Sequence, residues 1–208
     1  MWEILDDKVE SERIKKLKKY VSEFLSTATF DKFYYHNLIH TTDVYNSTKT
    51  YAEMEKIDEK SNELLLAAAL LHDVGYARQY DSNEPIGAMM AEEILPNYGF
   101  DKNEIAIVQK LIMATVIPQR PKDELEYIIC DADFDTLGTD RFLKRSLDLK
   151  REIEEKKGKE YTDTEWYKNQ LALLESHRYF TASARKLREE GQKANIKKLK
   201  ELIANTKS

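Results

Sequence analysis

Two of the four histidines, His36 and His40, stand within five residues of each other in YHNLIH, and a third, His72, stands beside Asp73 at the end of the apolar run LLLAAALL. A neutral imidazole beside a carboxylate is a ligand pair for a divalent metal, and imidazole also exchanges protons near neutral pH. His72 and Asp73 alone admit a plainer reading, with the imidazole closing the helix end and the carboxylate bonded to a loop. His36 and His40 likewise admit packing or capping. Further on, CDADFDTLG carries Asp131, Asp133 and Asp135 at alternate positions, which cannot share one helix face. Asp131 follows Ile128 by three residues and is expected on the buried side, where a carboxylate needs a cation or several donors. A cap or a solvated acidic cluster at the helix end is the other reading. His177, the fourth histidine, is read as packed or hydrogen-bonded near Tyr179 and Phe180. Taken together, His40, His72, Asp73 and Asp131 make a mixed nitrogen and oxygen donor set suited to Zn, Mn, Fe, Ni or Co.

The elements that must position these residues are helices. Charged residues make up 34% of the 208 and hydrophobic ones 41%, with Gly and Pro scarce, which favours a nearly all-helical chain. The run at 64–71 has no polar face, so a helix there must be surrounded by other helices. Around it the periodicity predicts helices at 11–26 (Ile14, Leu17, Val21, Phe24, Leu25), from Asn37 as N-cap, from Pro85 with Asn83 or Glu84 as cap (Ile86, Met89, Met90, Ile94, Leu95), and from Asp101, paired with Glu104 in a capping box. A further helix is expected from Pro121 into the aspartate triplet. Long helices follow at 140–157 (Phe142, Leu143, Leu149, Ile153), 162–190 and 192–205. Met1 to Asp7 is expected to lie on the body through Trp2, Ile4 and Leu5.

Several classes are disfavoured. A net charge of −5 gives no general basic footprint for nucleic acid. The single cysteine, Cys130, rules out an intramolecular disulfide framework and a thiolate-rich zinc site. No apolar run approaches the ~18 residues of a membrane span, and the acidic N-terminus is unlike a signal peptide, so a cytoplasmic protein is expected.

With His40, His72-Asp73 and Asp131 in this order, the chain resembles the HD-domain superfamily of metal-dependent phosphohydrolases from about residue 30 to 180. The resemblance implies an all-α, HD-domain helical bundle of roughly eight to nine helices, forming a single domain over 1–208 with the C-terminal helices packed on the core. It implies a divalent metal on His40, His72, Asp73 and Asp131. YHNLIHTTDV looks like the segment of the superfamily's cyclic-nucleotide phosphodiesterases in which the first His protonates the leaving group, here His36. ICDADFDTLG and HRYFTASA look more like small bacterial HD hydrolases. The implied activity is hydrolysis of a phosphoester of a nucleotide or related small molecule: water activated on the metal, with Asp73 in the catalytic set, attacks phosphorus, and His36 supplies the proton. Cleavage of a pyrophosphate bond, or metal and nucleotide sensing without turnover, are the alternatives. Lys32, Tyr35, Asn37, Arg78, Glu84 and Asp133 are candidates for substrate contacts, as is Arg120, and Phe33, Tyr34 and Tyr76 for a pocket wall. The chain departs from binuclear members, having no His between Asp73 and Ser176 and Asn83 where some relatives carry His. A second ion would therefore have oxygen ligands, with Asp73 bridging, which suits Mg or Mn.

Overall fold

In a computed structural model the chain is described over residues 10–205, so the expected contacts of Trp2, Ile4 and Leu5 lie outside the described residues. Nine α-helices and no strand occur among the described residues: α1 Glu12–Leu25, α2 Leu38–Met54, α3 Glu59–Leu71, α4 Asn83–Ile94, α5 Lys102–Ala114, α6 Glu124–Asp133, α7 Phe142–Lys157, α8 Asp163–Ser176 and α9 Ala182–Asn205. Short 3-10 turns follow α3, α4 and α6. None of these helices is long and apolar enough to cross a membrane.

The all-apolar run dictates the centre. All eight residues from Leu64 to Leu71 are buried, and α1, α2, α5 and α6 pack around α3. Each buried leucine there contributes roughly 1.5–3 kcal/mol by leaving water. α1 presents Ile14, Leu17, Val21 and Leu25 to the core, from an N-cap at Ser11. At its first turn Arg13 bridges Glu63 of α3 and Glu104 of α5 and lies 4.1 Å from the centre of the Phe100 ring, which fixes three helices to one another. Asn37 caps α2, and Asp101 with Glu104 forms the expected capping box of α5.

Three expectations are corrected. α4 begins at Asn83, and its buried face is Asn83, Gly87, Ala88, Met90, Ala91 and Ile94, while Met89 is exposed. The reason is close backbone approach: a Cβ on Gly75 would overlap the Asn83 carbonyl, and one on Gly87 would lie 3.2 Å from the His72 carbonyl oxygen. Small residues, not the large apolar ones, therefore define where α4 touches the turn after α3. The second correction is at α6, which starts at Glu124 under an Asp123 cap, three residues later than Pro121 suggests. Third, the chain after Thr162 breaks at 177–181 rather than at Gly191, and α9 runs straight through that glycine.

Gly191 is small because α9 crosses the turn Asp135–Gly138 at that point, where a Cβ would overlap the Gly138 carbonyl. The same crossing closes a second, smaller apolar cluster of Leu137, Phe142, Leu174 and Leu199. Glycine inside a helix ordinarily costs about 1 kcal/mol relative to alanine. Here the sign reverses: Gly191→Ala is expected to lower the denaturant midpoint, because backbone must move to admit one methyl. An unchanged or raised midpoint would contradict this crossing.

Candidate functional site

The site forms where α2, α3 and α6 meet. His72 is the residue that closes α3, and its Nδ1 donates to the Ala69 carbonyl at 2.9 Å. A carbonyl can only accept, so the proton of the neutral ring is on Nδ1 and the lone pair is on Nε2. His40, in the first turn of α2, presents its own Nε2 3.3 Å from that of His72. Asp73 Oδ2 lies 3.1 Å from His72 Nε2 and 3.4 Å from His40 Nε2. Asp133 Oδ1, from the last residue of α6, lies 3.3 Å from His40 Nε2 and 3.8 Å from His72 Nε2. Four ligand atoms thus converge from three helix ends.

The electrostatics favour positive charge between these carboxylates. Burial opposes the His72 imidazolium, yet Asp73 and then Asp133 outweigh it and raise its pKa to about 9. Burial also works against the Asp73 carboxylate, but the surrounding imidazoles, His72 first, bring its pKa well below the usual carboxylate range. His40 stays below its ordinary value through burial, which outweighs the carboxylates of Asp133 and Asp73. A divalent cation fits this donor set on two counts. The neutral His72 ring turns its Nε2 lone pair toward a second imidazole nitrogen 3.3 Å away, and Asp73 Oδ2 is buried without any hydrogen-bond partner. A buried carboxylate oxygen left in that state is costly unless a cation takes it. His40, His72 and Asp133 satisfy the spacing of a metal-holding group by themselves.

Asp131 is not in this group, which corrects the expected ligand set. It is buried as the sequence indicates, but on the other side of α6, where its oxygens accept from Phe180 N at 2.9 Å and from Thr181 N and Oγ1 at 2.7 Å each. It therefore ties α6 to the start of α9 by donors rather than by a cation. Asp135, the third of the triplet, accepts from Tyr51 and from Arg188 Nε at 2.7 Å. Only Asp133 reaches the histidines, and Gln119 Nε2 steadies it from behind at 3.0 Å.

His36 stands at the edge of the group, held by a residue that nothing in the sequence singles out. Glu152 of α7 is fully buried, with Oε1 2.5 Å from His36 Nδ1 and Oε2 accepting from the backbone N–H groups of Tyr35 and His36 at 2.7 and 3.0 Å. Burial opposes both charges, but their mutual hydrogen bond lifts the His36 pKa and lowers that of Glu152, and Asp73 adds to the lift. Arg145, one heptad earlier on α7, donates to the carbonyls of Tyr34 and Tyr35 at 3.2 and 2.7 Å. The expected apolar stripe of α7 is accordingly corrected: Phe142, Arg145, Ser146 and Glu152 are its buried residues, because only the start of this helix packs on the smaller apolar cluster and Arg145 and Glu152 grip a loop backbone.

The remaining candidates separate. Tyr35 packs edgewise on His36 and lies 4.8 Å from the His40 ring, and half-buried Glu84 has its pKa raised by burial and by the nearby carboxylates of Asp73 and Asp133. Tyr76 stacks on His36. Asn37 is committed to capping α2 and to the carbonyls of Phe33 and Tyr34. Lys32 pairs with Glu155 and Arg78 with Glu93, so the structure places both in surface ion pairs instead of on the histidines. Tyr34 turns outward to Glu155. His177 packs between Phe134 and Tyr179, in keeping with its reading as a packed residue.

The comparisons with known proteins agree with this geometry. Residues 37–134 match the family model of the HD domain, a span that contains His40, His72, Asp73 and Asp133. The chain carries an HD domain over these residues. A protein of Clostridium beijerinckii, described only as uncharacterized, is 33% identical over 88 residues, covering 39% of this chain and 54% of the relative, so the match spans about half of that relative's length. Two solved structures share the HD fold over nearly the whole chain. Bacillus subtilis YpgQ in complex with ADP has TM-score 0.69 at 19% identity, covering 93% of this chain and 95% of its own. A predicted HD superfamily hydrolase from an uncultured Thermotogales bacterium has TM-score 0.63 at 21% identity, covering 92% and 91%. At these identities the likeness is one of fold.

The division of labour within the triplet has a direct test. Asp133→Ala is expected to remove bound Mn or Zn measured by elemental analysis after dialysis, whereas Asp131→Ala should keep the metal and lower the unfolding free energy by about 1–3 kcal/mol through lost hydrogen bonds at the start of α9. Metal lost only from the Asp131 variant would reverse the assignment.

Proposed function

We propose that this chain hydrolyses a phosphoester of a nucleotide or a related small phosphorylated molecule, using a divalent cation on His40, His72, Asp73 and Asp133 and a proton from His36. The observation that carries the reading is the convergence of two imidazole nitrogens 3.3 Å apart with two carboxylates, one of whose oxygens is buried and unpartnered. A divalent cation bound there lowers the pKa of water and neutralises charge on a phosphoryl group.

The chain's own residues do the rest. The Nδ1–H of His72 bonded to Ala69 keeps the His72 ring in ligand orientation, and Gln119 does the same for Asp133. Glu152 anchors His36 through Nδ1 and favours the imidazolium, leaving Nε2 as the nitrogen from which a proton can leave. Tyr35 and Tyr76 flank that imidazole and limit how far it can turn. The ADP held by YpgQ supports a nucleotide as the substrate class. It also favours a second reading, cleavage of a phosphoanhydride bond, since ADP contains one. In that case the departing phosphate needs a proton less than an alkoxide does.

His36→Ala separates these roles. With its metal retained, the variant is expected to lose about 10²- to 10⁴-fold on an alkyl ester of a nucleotide, where the leaving alkoxide must be protonated. On the nitrophenyl ester, whose leaving group departs unaided, the loss should be far smaller. Equal losses on both esters would show that His36 is not the acid.

A further inference from the structure

The imidazole of His36 has no free hydrogen-bonding position. Nδ1 is 2.5 Å from Glu152, and Nε2 is 3.2 Å from the hydroxyl of Tyr76. The Tyr76 ring lies over the imidazole, centroids 4.2 Å apart and planes within 30°, while Tyr35 closes one edge at 4.9 Å. A leaving-group oxygen that took its proton directly from Nε2 would have to displace that hydroxyl from between two stacked rings. Tyr76 itself is held by the aromatic packing of Phe33 and Tyr80, at 5.7 and 5.4 Å, on the turn Val74–Ala77 that directly follows Asp73. Its hydroxyl is therefore fixed by His36, on a residue three positions after Asp73.

We propose that the Tyr76 hydroxyl is a further catalytic group, the last link in a proton path that runs Glu152, His36, Tyr76. This rests on the reading of His36 as the proton source. In the step, the oxygen of the attacking water bonds to phosphorus, the O–P bond to the leaving group breaks, and the leaving oxygen takes the Tyr76 hydroxyl proton. In concert, Tyr76 Oη takes the proton from His36 Nε2. His36 ends as neutral imidazole with its Nδ1–H still on Glu152, Tyr76 is unchanged, and the alkoxide has become an alcohol. Two protons move where a direct donor would move one.

Tyr76→Phe tests this because it removes one oxygen and keeps the ring that packs on His36. The variant should retain its metal and its unfolding midpoint, lose about 10²-fold on the alkyl ester, the low end of what a placed acid contributes, and lose much less on the nitrophenyl ester. Because both residues act in one path, His36→Ala with Tyr76→Phe should be no worse than His36→Ala alone. In mixtures of light and heavy water the wild-type rate on the alkyl ester should curve, as two protons in flight require, and become linear in Tyr76→Phe. In the metal-free protein, the His36 Nε2 resonance should shift on Tyr76→Phe while Nδ1 stays. If His36→Ala discriminates between the esters but Tyr76→Phe does not, the relay is overturned and His36 donates directly. If neither variant discriminates, the acid role of His36 fails and the relay fails with it.

Discussion

Everything in this molecule is arranged around two imidazoles and two carboxylates placed against the end of an apolar helix. Grouping His40, His72, Asp73 and Asp133 this closely costs desolvation that only a rigid surround and a compensating positive charge can offset. α3 provides the rigidity. Its leucines and alanines are wrapped on every side, so the backbone that carries His72 and Asp73 cannot shift without opening the core. The glycines at 75 and 87 then let α4 pack backbone to backbone against the turn that follows.

The proton side of the site is built on a different principle. α7 meets the 34–36 loop through Glu152 and Arg145, and two further cations lie over aromatic faces, Arg151 3.8 Å from Tyr34 and Lys156 3.7 Å from Phe33. Polar docking of this kind is directional where apolar packing is not, and direction is what His36 requires. Two backbone amides and one imidazole converge on a single buried carboxylate, so the loop conformation and the orientation of the ring are set together.

The aspartate triplet shows how one short sequence serves three separate jobs. Asp131 anchors α9, Asp133 faces the histidines, and Asp135 joins Tyr51 to Arg188. α6 ends at Asp133, and the change from α-helix to 3-10 turn swings the third carboxylate away from the first two. The result is that the metal-facing group, the link to the C-terminal helices and the link to α2 are fixed by five consecutive residues.

The sequence by itself determined the helical class, the central position of α3, the caps at Asn37 and Asp101, and the place of His40 and His72-Asp73 at helix ends, because these follow from periodicity, local capping and the cost of isolating polar groups. Tertiary structure decided which aspartate faces the histidines. Spacing from Ile128 points to Asp131 as the buried carboxylate, but what it meets there depends on Phe180 and Thr181, some fifty residues away, supplying the donors that claim it. Glu152 was likewise invisible in FLKRSLDLKREIEEKK, where a buried carboxylate looks like its solvated neighbours. Gly191 looked like a helix end, since a glycine that ends a helix and one that admits another backbone are the same residue in a sequence. Only the approach of Gly138 distinguishes them. Local rules fix how each segment folds, whereas partners far along the chain fix what its polar residues are for.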